Sequence, residues 1–122
     1  MTDKITLADI EKELAYCIGS ENFHKWSILF PYRMTDGVKL IADKLGAYWL
    51  LDVIASHQLK AKVKRTPFQV WKIKAKDSQA MITCEDGNNN KVSQQKIEYT
   101  DFPDGELSIW FQNNTLFVPS EY

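Results

Sequence analysis

Apolar positions recur every three to four residues through the first half of the chain and every second residue through the rest, with the change falling after Gln58. The first half therefore predicts helices and the second half strands. Leu7, Ile10, Leu14 and Ile18, with Cys17, make one apolar stripe at helical spacing. Thr6 suits the N-cap of that helix, and Asp9 stands three residues on, where a capping-box acid belongs. Ile5 and Ile10 are spaced as a hydrophobic staple, and Gly19 fits the position that ends a helix. A second helix is predicted after Thr35 and Asp36, with Val38, Leu40, Ile41 and Leu45 on its apolar side. Gly46 interrupts it. Residues 47–57 then read as a third helix or as a bent continuation of the second. Tyr48, Trp49, Leu50, Leu51, Val53 and Ile54 leave that segment little polar surface, so it is expected to lie under the sheet. Residues 26–30 fit a short strand that Pro31 confines to an edge or an end. They equally fit a helical turn followed by an extended segment.

Strands are predicted over 68–76, 79–85, 91–100, 107–112 and 115–118. In the first, Trp71, Ile73 and Ala75 share one face and Lys72, Lys74 and Lys76 the other. Ala80, Ile82 and Cys84 share a face of the second, and Ile97 and Tyr99 a side of the third. Residues 86–90, Asp-Gly-Asn-Asn-Asn, form a hairpin loop by composition. Residues 102–105, Phe-Pro-Asp-Gly, form a turn. Asn113 and Asn114 tolerate the positive φ of a two-residue hairpin turn. That turn pairs Gln112 with Thr115, Phe111 with Leu116, Trp110 with Phe117 and Ile109 with Val118. Leu107, Ile109, Phe111, Leu116 and Val118 then make a core face. Trp110 and Phe117 meet on the opposite one, either under another segment or as an aromatic contact surface.

The expected fold is α+β, with two to three N-terminal helices packed on one face of an antiparallel sheet of four to five strands. At 122 residues, 44% hydrophobic and 25% charged, the chain suits one domain over residues 1–122 that needs no disulfide or metal staple. Residues 58–67 are the one flexible-looking joint, too short to separate two domains. Cys17 and Cys84 read as reduced, buried thiols of a cytoplasmic protein. No apolar run is long enough to span a membrane. The sequence leaves the oligomeric state open.

The net charge is −1 but unevenly spread. Residues 1–57 carry six Lys/Arg and eight Asp/Glu, residues 58–77 seven and one, and residues 78–122 two and seven. The basic middle is the clearest binding signal. Lys60, Lys62, Lys64, Arg65, Lys72, Lys74 and Lys76, beside Phe68 and Trp71, can track a phosphate backbone. The competing reading is a solvated lysine face that discourages edge pairing.

Catalytic patterns are lacking. His24 and His57 stand apart from each other and from both cysteines, so no metal-ligand spacing arises. His57 reads as a helix-end residue interacting with the helix dipole, and His24 as a boundary residue. No nucleophile elbow or phosphate-binding loop is present. Asp52 interrupts an apolar helix and reads as a buried, hydrogen-bonded carboxylate. No metal or other cofactor is implied.

Several segments resemble the signature of a small bacterial family known only as a domain of unknown function. They are residues 34–39 (MTDGVK), 46–55 (GAYWLLDVIA), 68–72 (FQVWK), 83–88 (TCEDGN), 99–103 (YTDFP) and 116–122 (LFVPSEY). The resemblance runs from about residue 20 to the end. Members of that family occur in bacterial genomes, cyanobacteria included, and on phages and other mobile elements. The resemblance supplies no catalytic residues. It implies a compact domain with a role in phage–host conflict.

The leading expectation is a non-enzymatic binding protein that docks a protein partner, as a phage-encoded, anti-CRISPR-like inhibitor of a host defence system would. Its contact residues are expected to be Trp110, Phe117, Glu85, Asp86, Asp101 and Asp104. The alternatives are nucleic-acid binding through residues 60–76 and a small enzyme built on an unrecognised Asp, His or Cys site.

Overall fold

The computed structural model describes residues 6–14, 23–25 and 31–119. Helix α1 spans Leu7–Leu14, followed by short strands β1 (Phe23–His24) and β2 (Arg33–Thr35). Helices α2 (Asp36–Leu45), α3 (Tyr48–His57) and α4 (Ala61–Lys64) come next. Strands β3 (Gln69–Lys76), β4 (Gln79–Asp86), β5 (Lys91–Ile97), β6 (Gly105–Gln112) and β7 (Thr115–Phe117) complete the order.

The α1 cap forms as the sequence predicts. The Thr6 N–H donates to Asp9 Oδ2 at 3.1 Å, and the Asp9 N–H donates to Thr6 Oγ1 at 3.2 Å. Two orphan amides of the first turn are thereby satisfied. Ile5, Cys17, Ile18, Gly19 and the segment 26–30 lie outside the described residues. Thr35 holds the N-cap position of α2 without a capping hydrogen bond from its side chain. Gly46, at φ +60°, closes α2 with its N–H bonded to the Ala42 carbonyl, so α3 is a separate helix. No side chain crowds Gly46; its left-handed backbone is what favours glycine there.

The fold class is α+β, but the sheet is larger than predicted and mixed. Seven strands run in the order β1-β2-β7-β6-β3-β4-β5. β2 pairs with β7 in parallel, Arg33 opposite Thr115 and Met34 opposite Leu116. Every other neighbouring pair is antiparallel. β1 and β2, at two and three residues, are too short to show a period, and they are recruited only because β7 offers an edge. Parallel neighbours need a crossover, which the helices between β2 and β7 provide.

Three further corrections follow from packing. The joint at 58–67 contains α4, whose Val63 is fully buried in the core. The third strand ends at Ile97 rather than 100, and Tyr99 is 83% exposed. Asp52 is exposed on α3 rather than buried.

One layer of helices covers one face of the sheet. Ile10, Val38, Ile41, Leu50, Leu51, Ile54 and Val63 pack against Trp71, Ile73, Ile82, Cys84, Ile109 and Leu116 in a single cluster. At Gly105 the layers approach so closely that a Cβ would sit 2.8 Å from Leu7 Cδ1.

Candidate interaction face

The strand register fixes which residues share the face away from the helices. Val70 stands opposite Trp110 on β6, which in turn faces Phe117 on β7. Lys72 lies between Thr83 and Ser108, and Lys74 between Met81 and Glu106. Gln94 and Lys96 of β5 continue these two rows. The β6–β7 hairpin has the predicted register, with Asn113 and Asn114 at φ 53° and 59°. Asp77 and Ser78 make the same kind of turn between β3 and β4, at φ 54° and 64°.

Three aromatic rings meet on this face. Trp110 and Phe117 lie 6.0 Å apart, nearly perpendicular at 85°. Phe68 meets Trp110 edge-on at 5.3 Å. All three are half-buried. Edge-to-face contact places the positive rim of one ring on the negative face of the next. The same face carries Lys72, Lys74, Lys76 and Lys96 against Glu85 and Glu106, a basic excess on a chain of net charge −1. Lys72 Nζ bridges to Glu85 Oε1 at 3.1 Å.

The structure separates residues that the sequence grouped. Lys60, Lys62, Lys64 and Arg65 sit on or beside α4 in the helical layer, whereas Lys72, Lys74 and Lys76 lie on the far side of the sheet. The helical turn inserts Val63 into the core, so Lys60, Lys62 and Lys64 do not extend the lysine row of β3. The four acids part as well. Glu85 and Asp86 stand beside the start of β3, opposite Val70 and Gln69. Asp101 and Asp104 line a notch of about 270 Å³ beyond the other end of β3, with Thr6, Ser78 and Thr100.

Two of these acids have clear structural work. The Asp86 carboxylate accepts from the backbone N–H of Asn88 (2.8 Å) and Asn90 (3.0 Å) and from the Asn90 amide (3.1 Å). The backbone N–H of Asn90, then that of Asn88 and the Asn90 side chain, hold its pKa below the ordinary carboxylate value. Asp104 accepts from the Asp77 N–H at 3.2 Å and braces the β3–β4 turn.

On the helix-facing side, two polar clusters interrupt the apolar core. Gln58 and Gln69 exchange reciprocal amide hydrogen bonds of 2.7 and 2.9 Å. Gln69 also donates to the Val63 and Thr66 carbonyls and accepts from the Trp71 indole N–H. This clamp fastens α4 between α3 and β3. The second cluster surrounds His57, which ends α3 as the sequence predicts and whose buried ring meets Ser93 and Gln95. Gln58, Gln69, Ser93 and Gln95 carry no motif in the sequence. The alternation of β3 does place Phe68 and Val70 in phase with Lys72, a usable signal once the register is known.

His24 is half-buried, with Nε2 2.7 Å from Asp36 Oδ1. Cys84 is a buried free thiol whose pKa is pushed up to about 12, first by burial and then by the charges of Asp86 and Glu85. Such a thiol is inert at neutral pH. Among the described residues, no group of three or more His, Cys, Asp or Glu is placed to hold a metal ion. None of the described helices is long and apolar enough to cross a membrane.

A family model described as a family of unknown function, DUF6876, matches residues 8–122. No curated protein and no solved structure matches the chain significantly.

Proposed function

The chain belongs to the DUF6876 family of unknown function, and from that premise we propose that its role is to dock a protein partner on the sheet face opposite the helices. The observation that carries this reading is the aromatic group of Phe68, Trp110 and Phe117, on the same sheet face as a row of lysines along β3. Protein contact surfaces are commonly built this way, with a half-covered aromatic centre and a charged rim. The lysine excess selects a partner with an acidic surface. Glu85 lies on this face beside Lys72, while Asp86 and Asp104 brace the loops at its two ends and Asp101 lines the notch beside Asp104. The resemblance of the signature segments to proteins of phages and mobile elements supports the narrower reading of an inhibitor of a host defence system, similar in use to an anti-CRISPR.

The test is affinity capture from host lysate with the wild-type chain, Trp110→Ala, the pair Lys74→Glu/Lys96→Glu, and the pair Asp101→Lys/Asp104→Lys. The first two variants are expected to lose a stoichiometric partner that the third retains. Retention by all three folded variants would refute the proposed face.

A second reading, nucleic-acid binding, draws support from Lys72, Lys74 and Lys76 sharing one sheet face with the aromatic group. Against it, the rings contact one another edge-to-face, which engages surfaces that bases would stack on. Fluorescence anisotropy with single-stranded oligonucleotides, at low and at physiological salt, separates the readings. Phosphate contacts would weaken steeply as salt rises.

A further inference from the structure

At the edge of the sheet formed by β5, a hydroxyl, an imidazole, an amide and an ammonium group converge on the side facing the helices. His57, the last residue of α3, is 4% exposed. Its Nδ1 lies 2.9 Å from Ser93 Oγ and its Nε2 2.7 Å from Gln95 Oε1. An amide oxygen can only accept, so in the neutral ring Nε2 carries the proton and Nδ1 is the acceptor. The Ser93 hydroxyl therefore donates into the basic nitrogen of His57. Lys60 Nζ donates to the same Ser93 Oγ at 3.3 Å. Trp71 meets the imidazole edge-on at 5.4 Å and sets the plane of the ring.

A tie between α3 and β5 needs only one of these hydrogen bonds. The polarity of the set goes further: a hydroxyl directed at a base, the far N–H of that base held by an acceptor, and a cation beside the oxygen. This is the relation that activates a serine nucleophile. We propose that Ser93 is such a nucleophile, taking an acyl group from small activated esters, with His57 as its base. Gln95 is the positioning residue for the ring, and the Lys60 ammonium faces the charge that develops on the substrate oxygen. Ser93, on the edge strand β5, is half-buried, and Lys60, at the N-cap of α4, is exposed, which suits a small donor approaching from the rim.

In the first step, Ser93 Oγ bonds to the ester carbonyl carbon while its proton passes to His57 Nδ1. The tetrahedral adduct then breaks its C–O bond to the alcohol, which leaves with the proton from Nδ1. Water next attacks the acyl-serine and gives a proton to His57. That proton returns to Ser93 Oγ as the carboxylic acid departs. Atoms and charge balance, and no oxidant or metal is needed. This inference goes beyond partner docking and does not rest on it.

The test is labelling of the full chain with a fluorophosphonate probe, which transfers its phosphonyl group to an activated serine and releases fluoride. The adduct is located by peptide mass spectrometry, and p-nitrophenyl acetate turnover is followed in parallel. One adduct, on Ser93, is expected, absent in Ser93→Ala and formed about 10²-fold more slowly in His57→Asn. No adduct on Ser93 in the wild-type protein, or unchanged labelling in a folded His57→Asn variant, overturns the proposal. If His57→Asn fails to fold, Gln95→Leu keeps the ring but frees Nε2 and should slow labelling severalfold; an unchanged rate there also overturns it.

Discussion

Trp71 and Lys72 are neighbours in β3, yet they belong to different environments. Trp71 is 0% exposed, its indole N–H bonded to Gln69 and its ring edge-on to His57. Lys72 faces the other side of the sheet and pairs with Glu85. The same strands thus build a covered face and a charged, aromatic one. On the covered face, apolar packing dominates, and each polar side chain must find partners inside. No buried side-chain nitrogen or oxygen among the described residues lacks a hydrogen bond. On the other face, the described side chains are half-buried or exposed, and single contacts hold little folding energy. Stability should follow the first face and recognition the second.

The sharpest break of that contrast is Trp71→Ala. Removing a fully buried indole should cost about 3–5 kcal/mol, read from urea unfolding curves. Next comes Gln69→Ala, which strands the Gln58 Oε1 and the Trp71 N–H inside the protein. A loss of about 2–3 kcal/mol is expected from unsatisfied buried groups, checked by thermal melting. A stability change below about 0.5 kcal/mol would mean that the clamp opens to water. Trp110→Ala should cost roughly 1 kcal/mol in folding, because its ring is only half-buried. Its effect on partner capture should be far larger than that. Lys74→Glu, exposed on the same strand as Trp71, should move stability by less than about 0.5 kcal/mol while weakening capture.

The smallest expected effect concerns the β4–β5 loop, where the Asp86 pKa is depressed in the folded state. The support that its carboxylate gives the loop is fully present above the ordinary carboxylate range. It is lost as pH falls through the folded pKa. Backbone amide shifts of Asn88 and Asn90, followed by NMR during acid titration, should report that loss. Asp86→Asn should abolish the dependence.

Much of this contrast is legible along the chain. The alternation of Trp71, Ile73 and Ala75 with Lys72, Lys74 and Lys76 assigns each residue of β3 to a face. The paired asparagines fix the register that brings Trp110 to Phe117. The cap of α1 can be read from Thr6 and Asp9 alone. These features are legible because they depend on neighbours two to seven residues apart. Phe68 is in phase with Lys72 but gains meaning only when β6 brings Trp110 beside it. The basic run 60–76 misleads for the converse reason. Its first four charges belong to a helical turn anchored by Val63 and the Gln58–Gln69 clamp, and residue-to-residue charge spacing does not reveal that turn.

The order of residues by itself determined the helical front, the strand-rich back, the two faces of each long strand and the hairpin turns, since backbone geometry turns short-range pattern into local structure. Tertiary structure alone decided that two- and three-residue strands join a seven-stranded mixed sheet, that His57 meets Ser93 and Gln95 from 36 and 38 positions away, and that the lysines and acids part company. Those outcomes depend on which distant surfaces meet when the core closes. A polar side chain shows its partner only after that closure removes water as the alternative.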